Sequence, residues 1–160
     1  MRIEKRIRIA SEKIDKHKNA IDDFQAEINL LKRKPGWRNN PEIKKNIAGF
    51  RVAGEKHGEE LLKKIGYLGE IGHLHHSSVD ALEKIWKKTP AGYTQRVAAA
   101  VKKAHEQICI NAPKNARKPE EEKEFNAKLS KLSKLVGKPN PNAKPQPNAL
   151  QLLLHRWKKR

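Results

Sequence analysis

Cysteine occurs once in this chain of 160 residues, at Cys109. A single thiol rules out an intramolecular disulfide and any Cys-rich zinc site, and it suits a reducing compartment. Long apolar runs are missing as well. None approaches the roughly 20 residues that span a bilayer, and the opening MRIEKRIRIA carries charge where a secretory leader would be apolar. The expected site of action is therefore the cytoplasm, with no membrane span. Val and Thr are scarce and no stretch alternates apolar and polar residues over a strand's length, which points away from sheet. There is no P-loop, no G-x-G-x-x-G, no H-E-x-x-H and no G-x-S-x-G, so nucleotide hydrolysis, zinc proteolysis and serine hydrolysis lack support, and no cofactor is expected.

Positive charge is what the chain has in abundance. Lys and Arg number 36 against 18 Asp and Glu, a formal net charge of +18. Self-repulsion of that size opposes compaction, so it implies a polyanionic partner: nucleic acid first, then an acidic protein or an anionic membrane surface. The cations are unevenly placed. Between Ile85 and Lys118, the cations Lys87, Lys88, Arg96, Lys102, Lys103, Lys114, Arg117 and Lys118 face a single acid, Glu106, and no acid follows Glu124. Most of these, with Tyr93, are the candidate substrate-binding residues, and the partner surface is expected in the second half of the chain.

The first segment carries a heptad. Ile7, Ile14, Ile21 and Ile28 form one row, and Ile3, Ala10, His17, Phe24 and Leu31 form the second. KPGWRNNP breaks the pattern. A second heptad follows, with Ile43, Phe50, His57 and Lys64 on one row and Ile47, Gly54, Leu61 and Leu68 on the other. Two helices joined by a short turn read as an antiparallel hairpin. Folding about the turn pairs Leu31 with Ile43, Ile28 with Ile47, Phe24 with Phe50, His17 with His57, Ile14 with Leu61 and Ile7 with Leu68. The facing histidines are expected as a polar layer that fixes register. Gly49, Gly54, Gly58, Gly66 and Gly69 each lower helix propensity by roughly 1 kcal/mol relative to Ala, so the hairpin is expected to need support.

Beyond it, SSVDALEKIWKKTP reads as a helix opened by a Ser77–Asp80 capping box and stopped at Thr89–Pro90. GYTQRVAAAVKKAHEQICI is a further helix with Val97, Val101, Ala104, Ile108 and Cys109 inward. PEEEKEFNAKLSKLSKLVGKP has Pro early, acids in its first turn, lysines late and Gly137 at its end. KPNPNAKPQPN reads as an extended linker, followed by a short basic terminal helix. The organisation expected is all-α: a hairpin over 1–72, a basic helical lobe over 73–137, and a linker with its helix over 138–160. A short ribbon over Tyr67–His76 is the one strand candidate.

The segment GHLHHSSVD places His73, His75 and His76 within four positions. On a strand, His73 and His75 would share a face in a two-ligand metal spacing, with Asp80, Glu83 or His105 as third ligand. No second cluster stands at a diagnostic spacing, so no metal is assigned. Without metal, one histidine can take a proton, another donor can return it, and lysines or arginines can steady the charge on phosphorus, which is the minimal kit for cleaving RNA through its 2′-hydroxyl. The candidate catalytic residues are His73, His75, His76 and His105. The competing reading is a polar loop that caps the next helix. Trp37 in the turn and Trp157 near the C-terminus are candidate stacking residues.

KIDKHKNAIDDFQAEI and PEIKKNIAGFRVAGEKHGEELLKKI resemble the helical lead-in segments of C-terminal toxin modules in bacterial polymorphic and contact-dependent inhibition systems. GHLHH before a basic helix resembles the paired-histidine motifs of their nuclease families. The resemblance covers residues 13–76. It implies a small nuclease delivered from another cell, with an acidic immunity protein as partner. The expected function is a basic protein that engages nucleic acid, RNA in preference to DNA, as a histidine-based nuclease. The alternatives are a non-catalytic binding module with a coiled-coil arm, or a structural component of a phage or ribonucleoprotein particle.

Overall fold

Heptad rows that must leave water draw the first half of the chain into two long helices, α1 (Ile3–Lys32) and α2 (Pro41–Ile71). The computed structural model describes residues 2–138; of the proline–asparagine linker and terminal helix expected over 138–160, all but Lys138, Trp157 included, lies outside the described residues. Three shorter helices follow, α3 (Ser77–Lys87), α4 (Thr94–Asn111) and α5 (Pro119–Val136), and the described residues contain no strand. The all-α class is correct. The segment read as a ribbon candidate is the last turns of α2 and a 3₁₀ turn over Gly72–Leu74.

The hairpin has the expected register. His17 Nδ1 sits 2.9 Å from His57 Nδ1, the Phe24 and Phe50 ring centroids are 5.8 Å apart, and Arg6 donates to the Tyr67 hydroxyl at 2.9 Å. The chain reverses through Gly36, whose φ of 71° is open to glycine and strained for other residues. Asn40 then caps α2, its side-chain oxygen accepting from the Glu42 and Ile43 amides at 3.1 and 3.2 Å, with Pro41 at the first helical position.

One apolar core draws on all five helices. Ile7, Ala10, Ile14 and Ile21 of α1 and Leu61, Ile65 and Leu68 of α2 meet Val79, Leu82 and Trp86 of α3, Val97, Val101 and Ile108 of α4, and Phe125 and Leu132 of α5. The 1–72 and 73–137 spans thus share their interior. Ile28 and Ile47 are buried apart from this cluster, so the hairpin runs on past the lobe. Glycines that read as propensity losses make the packing feasible. A Cβ on Gly69 would lie 2.8 Å from Ala104 Cα, and one on Gly58 would enter the Tyr93 ring. These small residues form the groove of α2 into which α4 settles. Cys109 is a correction: it is exposed, one position round the helix from fully buried Ile108.

Candidate functional site

The histidine loop joins α2 to α3, and local geometry uses most of its polar atoms. Ser77 does not cap α3 as expected. It is the first helical residue, and the Ser77 amide donates to His75 Nδ1 at 3.1 Å while its hydroxyl lies 2.8 Å from the same nitrogen. His75, in extended backbone, supplies the acceptor that the capping box would have supplied. Buried Ser78 secures the other side, its hydroxyl 2.7 Å from Gly72 O and 2.9 Å from His75 O.

With Nδ1 accepting, His75 carries its proton on Nε2, and Nε2 lies 3.2 Å from Glu4 Oε1 of α1. His76 adopts the same tautomer for a different reason. Lys128 Nζ of α5 approaches its Nδ1 at 2.8 Å, Asp80 at 2.7 Å and Glu124 at 3.4 Å, which uses the three hydrogens of an ammonium group. Burial works against the charge on Lys128, yet Asp80 and Glu124 together outweigh it and raise its pKa. His76 Nε2 then faces Glu124 at 3.5 Å. The two imidazoles lie against each other with centroids 4.2 Å apart.

His73 contributes its backbone. Its carbonyl accepts from Asn115 at 3.1 Å and from the Arg117 guanidinium, while its own Nδ1 is buried without a partner. Arg117 is a clamp and not a surface cation. Its side chain is 5 % exposed and bridges to Glu122 at 3.1 Å, with its guanidinium 3.9 Å above the Phe125 ring. His105 has other company. Ser133 donates its hydroxyl to Leu129 O at 2.8 Å, so it accepts from His105 Nε2 at 2.7 Å; Cys109 Sγ lies 3.4 Å from the same nitrogen. Burial lowers the pKa of His105 against the pull of Glu106. None of these partners is a loop residue. The third ligands considered for a metal do not gather on an H-x-H pair either: among the described residues no group of three or more His, Cys, Asp or Glu is placed to hold a metal ion.

Several candidate substrate-binding residues are spent on the fold. Tyr93 and Arg96 both hold Glu55 of α2, at 2.6 and 2.7 Å. Their hydrogen bonds, Tyr93 first, keep Glu55 below the usual carboxylate range, while burial and Glu55 push the Tyr93 phenol up to about 12. Lys87 bridges to Glu83 at 2.8 Å. Lys102 lies over the Trp86 ring at 5.9 Å. Lys88, Lys103 and Lys114 are exposed. The spacing of charges along the chain concealed this, because Glu55 reaches Tyr93 and Arg96 only after folding.

A cleft of about 720 Å³ opens between the first turns of α1 and of α3. His75 and Ser77 line it with Glu4, Arg2, Lys5 and Arg8. Comparison of the chain with protein-family models, curated proteins and solved structures gives no match in any of the three, so the likeness to toxin modules stands on the segments that suggested it.

Proposed function

We propose that the protein engages nucleic acid, RNA in preference to duplex DNA. The observation that carries this reading is a charge of +18 on a fold that neutralises only part of it. Lys88, Lys103, Lys114, Lys118, Lys123 and Lys134 are exposed, and no ion pair among the described residues includes them. Lysines on flexible stems in such numbers are suited to a phosphate backbone more than to a shaped ligand. The test is binding of a labelled single-stranded RNA of mixed sequence, with duplex DNA beside it, across a salt series. Affinity should fall steeply between about 50 and 200 mM salt. No binding at low salt, or binding indifferent to salt, overturns the reading and leaves an acidic protein, such as the immunity partner that the toxin resemblance implies, as the account of the charge.

A second reading, RNA cleavage, is favoured by one observation: His75 lies on the wall of the α1–α3 cleft with Glu4 3.2 Å from its Nε2. There the Glu4 carboxylate could take the proton of a 2′-hydroxyl as that oxygen attacks phosphorus and return it to the leaving 5′-oxygen as the P–O5′ bond breaks, yielding a 2′,3′-cyclic phosphate, while the His75 Nε2–H keeps its proton and donates a hydrogen bond to a phosphate oxygen. This makes His75, alone of the four histidines, the one whose removal should decide whether the protein cleaves.

A further inference from the structure

The end of the hairpin is a cluster of cations that the fold does not use. Lys32, Arg33 and Lys34 close α1, Arg38 lies in the turn, and Lys44 and Lys45 lie near the start of α2. The acid among them is Glu42. No ion pair among the described residues includes any of the six cations, in contrast to Lys84, Lys87, Arg96, Arg117 and Lys128, each of which has an acid at 3.1 Å or less. Helix ends do not explain the cluster. The C-terminus of α1 carries roughly half a negative charge, which rewards about one cation, while the N-terminus of α2 disfavours Lys44 and Lys45.

Packing does not explain it either. The last buried seam residues are Ile28 and Ile47, and they stand outside the main core. Beyond them backbone hydrogen bonds define the turn. The Trp37 amide donates to Lys34 O at 3.3 Å, that of Asn39 to Gly36 O at 3.0 Å and that of Asn40 to Trp37 O at 3.2 Å. This scaffold presents a half-exposed indole, with Lys32 Nζ 5.6 Å and Arg38 Cζ 5.4 Å from its ring centroid.

From this we infer that the hairpin tip is a contact for single-stranded nucleic acid, with Trp37 as a stacking surface for a base and Lys32, Arg33, Lys34, Arg38, Lys44 and Lys45 around the adjoining phosphates. The inference rests on the nucleic-acid reading above and adds a second, separate site to it. A base stacks on an aromatic only where it is unpaired, which selects single strands over duplex. A membrane surface would need an apolar face, and the large apolar side chain exposed near the tip is Leu30 alone. The 31 residues of α2 set the tip about 45 Å from the histidine loop. One RNA long enough to touch both the tip and the lobe gains from the linkage, because the second contact forms at high effective concentration.

The experiment uses the full chain and a fluorescein-labelled single-stranded RNA of mixed sequence containing 4-thiouridine. Neutralising the tip (Lys32→Gln, Arg33→Gln, Lys34→Gln, Arg38→Gln) should weaken binding at least tenfold and flatten the salt slope by about 0.7 for each phosphate that is no longer neutralised. The same number of charges removed from the shaft (Lys13→Gln, Lys16→Gln, Arg51→Gln, Lys56→Gln) should leave a much smaller effect. Trp37→Ala should cost about tenfold. Photo-crosslinking to the parent protein, mapped by mass spectrometry, should label the peptide that holds Trp37 and needs no variant to fold. Tip and shaft variants that lose affinity equally, with no crosslink at the turn, overturn the inference while the nucleic-acid reading stands. Polyglutamate that displaces the RNA at equal phosphate-equivalent concentration overturns it in favour of an acidic protein. A parent that binds no RNA overturns both.

Discussion

Nδ1 of His17 lies 2.9 Å from Nδ1 of His57 across the hairpin seam. Two like nitrogens at that distance share one proton, so one ring donates, the other accepts, and the bonded pair is neutral. Burial, then His57, Lys16 and Lys64, hold the His17 pKa below its ordinary 6.5, with Glu60 opposing. Phe24 closes the layer, 5.9 Å from the His57 ring. A depressed histidine takes its proton at higher pH in the unfolded chain than in the folded one. The unfolded state therefore binds more protons in that window, and stability is lost as pH falls below about 6.5 until the lower, folded pKa has been passed. The expected outcome is a parent Tm that falls more between about pH 7.5 and pH 5 than that of the His17→Leu, His57→Leu double variant, in which this linkage is absent. Parallel Tm curves would remove the pair as a pH-dependent element.

The α2 glycines divide into two groups of opposite sign. Gly69→Ala drives a methyl to within 2.8 Å of the Ala104 backbone, which has no rotamer to yield, so it should destabilise by about 1–3 kcal/mol despite the gain in helix propensity. Gly49→Ala and Gly66→Ala meet nothing within 4 Å and should stabilise by about 0.5–1 kcal/mol each. Urea denaturation of the three variants checks both signs, and uniform stabilisation would mean that α4 does not sit against Gly69.

The hairpin was readable because a heptad on each side of a Pro–Gly turn has few registers that bury every layer, and Phe24 with Phe50 and His17 with His57 come together as that register requires. The helix ends were readable where capping chemistry is local, as with Pro119 and the acids of α5. The loop was not. Its cap comes from His75 in place of Ser77, because the acceptor nitrogen of an imidazole two residues before the helix reaches the amide that a serine hydroxyl was expected to serve. The charge census misled for a related reason. Arg96 and Arg117 look like surface cations along the chain, but Glu55 comes to Arg96, and His73 O to Arg117, only through tertiary packing. The same counting hid the tip, whose cations sit in the mixed-charge half and still end without acid partners.

Arg117 should behave as a structural residue in solution. Its guanidinium bonds His73 O, Ala112 O and Glu122 from a nearly closed site over Phe125. Arg117→Ala removes the guanidinium's hydrogen bonds while Asn115 still donates to both carbonyls, and should cost about 2 kcal/mol, discounted because Glu122 is 43 % exposed. Arg117→Lys recovers only part, since an ammonium cannot serve the same forked set. Thermal unfolding should register the loss, while the salt slope of RNA binding stays at the parental value. A changed slope with unchanged Tm would return Arg117 to the nucleic-acid surface.

The role of His75 can be separated into cap and chemistry with two substitutions. As a cap, its Nδ1 satisfies the Ser77 amide, one of the donors that a helix N-terminus leaves open. Its replacement by Ala should cost about 1 kcal/mol, and Asn, which also offers a short side-chain acceptor, should restore most of it. In the chemistry, His75 works from the other nitrogen, donating a hydrogen bond to phosphate through the Nε2–H that faces Glu4 beside the cleft. Asn, whose short side chain is held at the cap, extends no donor to the Nε2 position, so it rescues the cap and not the chemistry. If the protein cleaves RNA, His75→Ala and His75→Asn should both cut cleavage, by a factor on the order of 100 or more for a lost hydrogen-bond donor to the transition state, while only His75→Ala lowers the Tm. His105→Ala should leave cleavage intact, because its imidazole is occupied with Ser133 of α5. Full activity in His75→Asn assigns the loop to helix capping and the cleavage to other residues; no cleavage by the parent assigns the loop to capping and leaves binding as the protein's work on RNA.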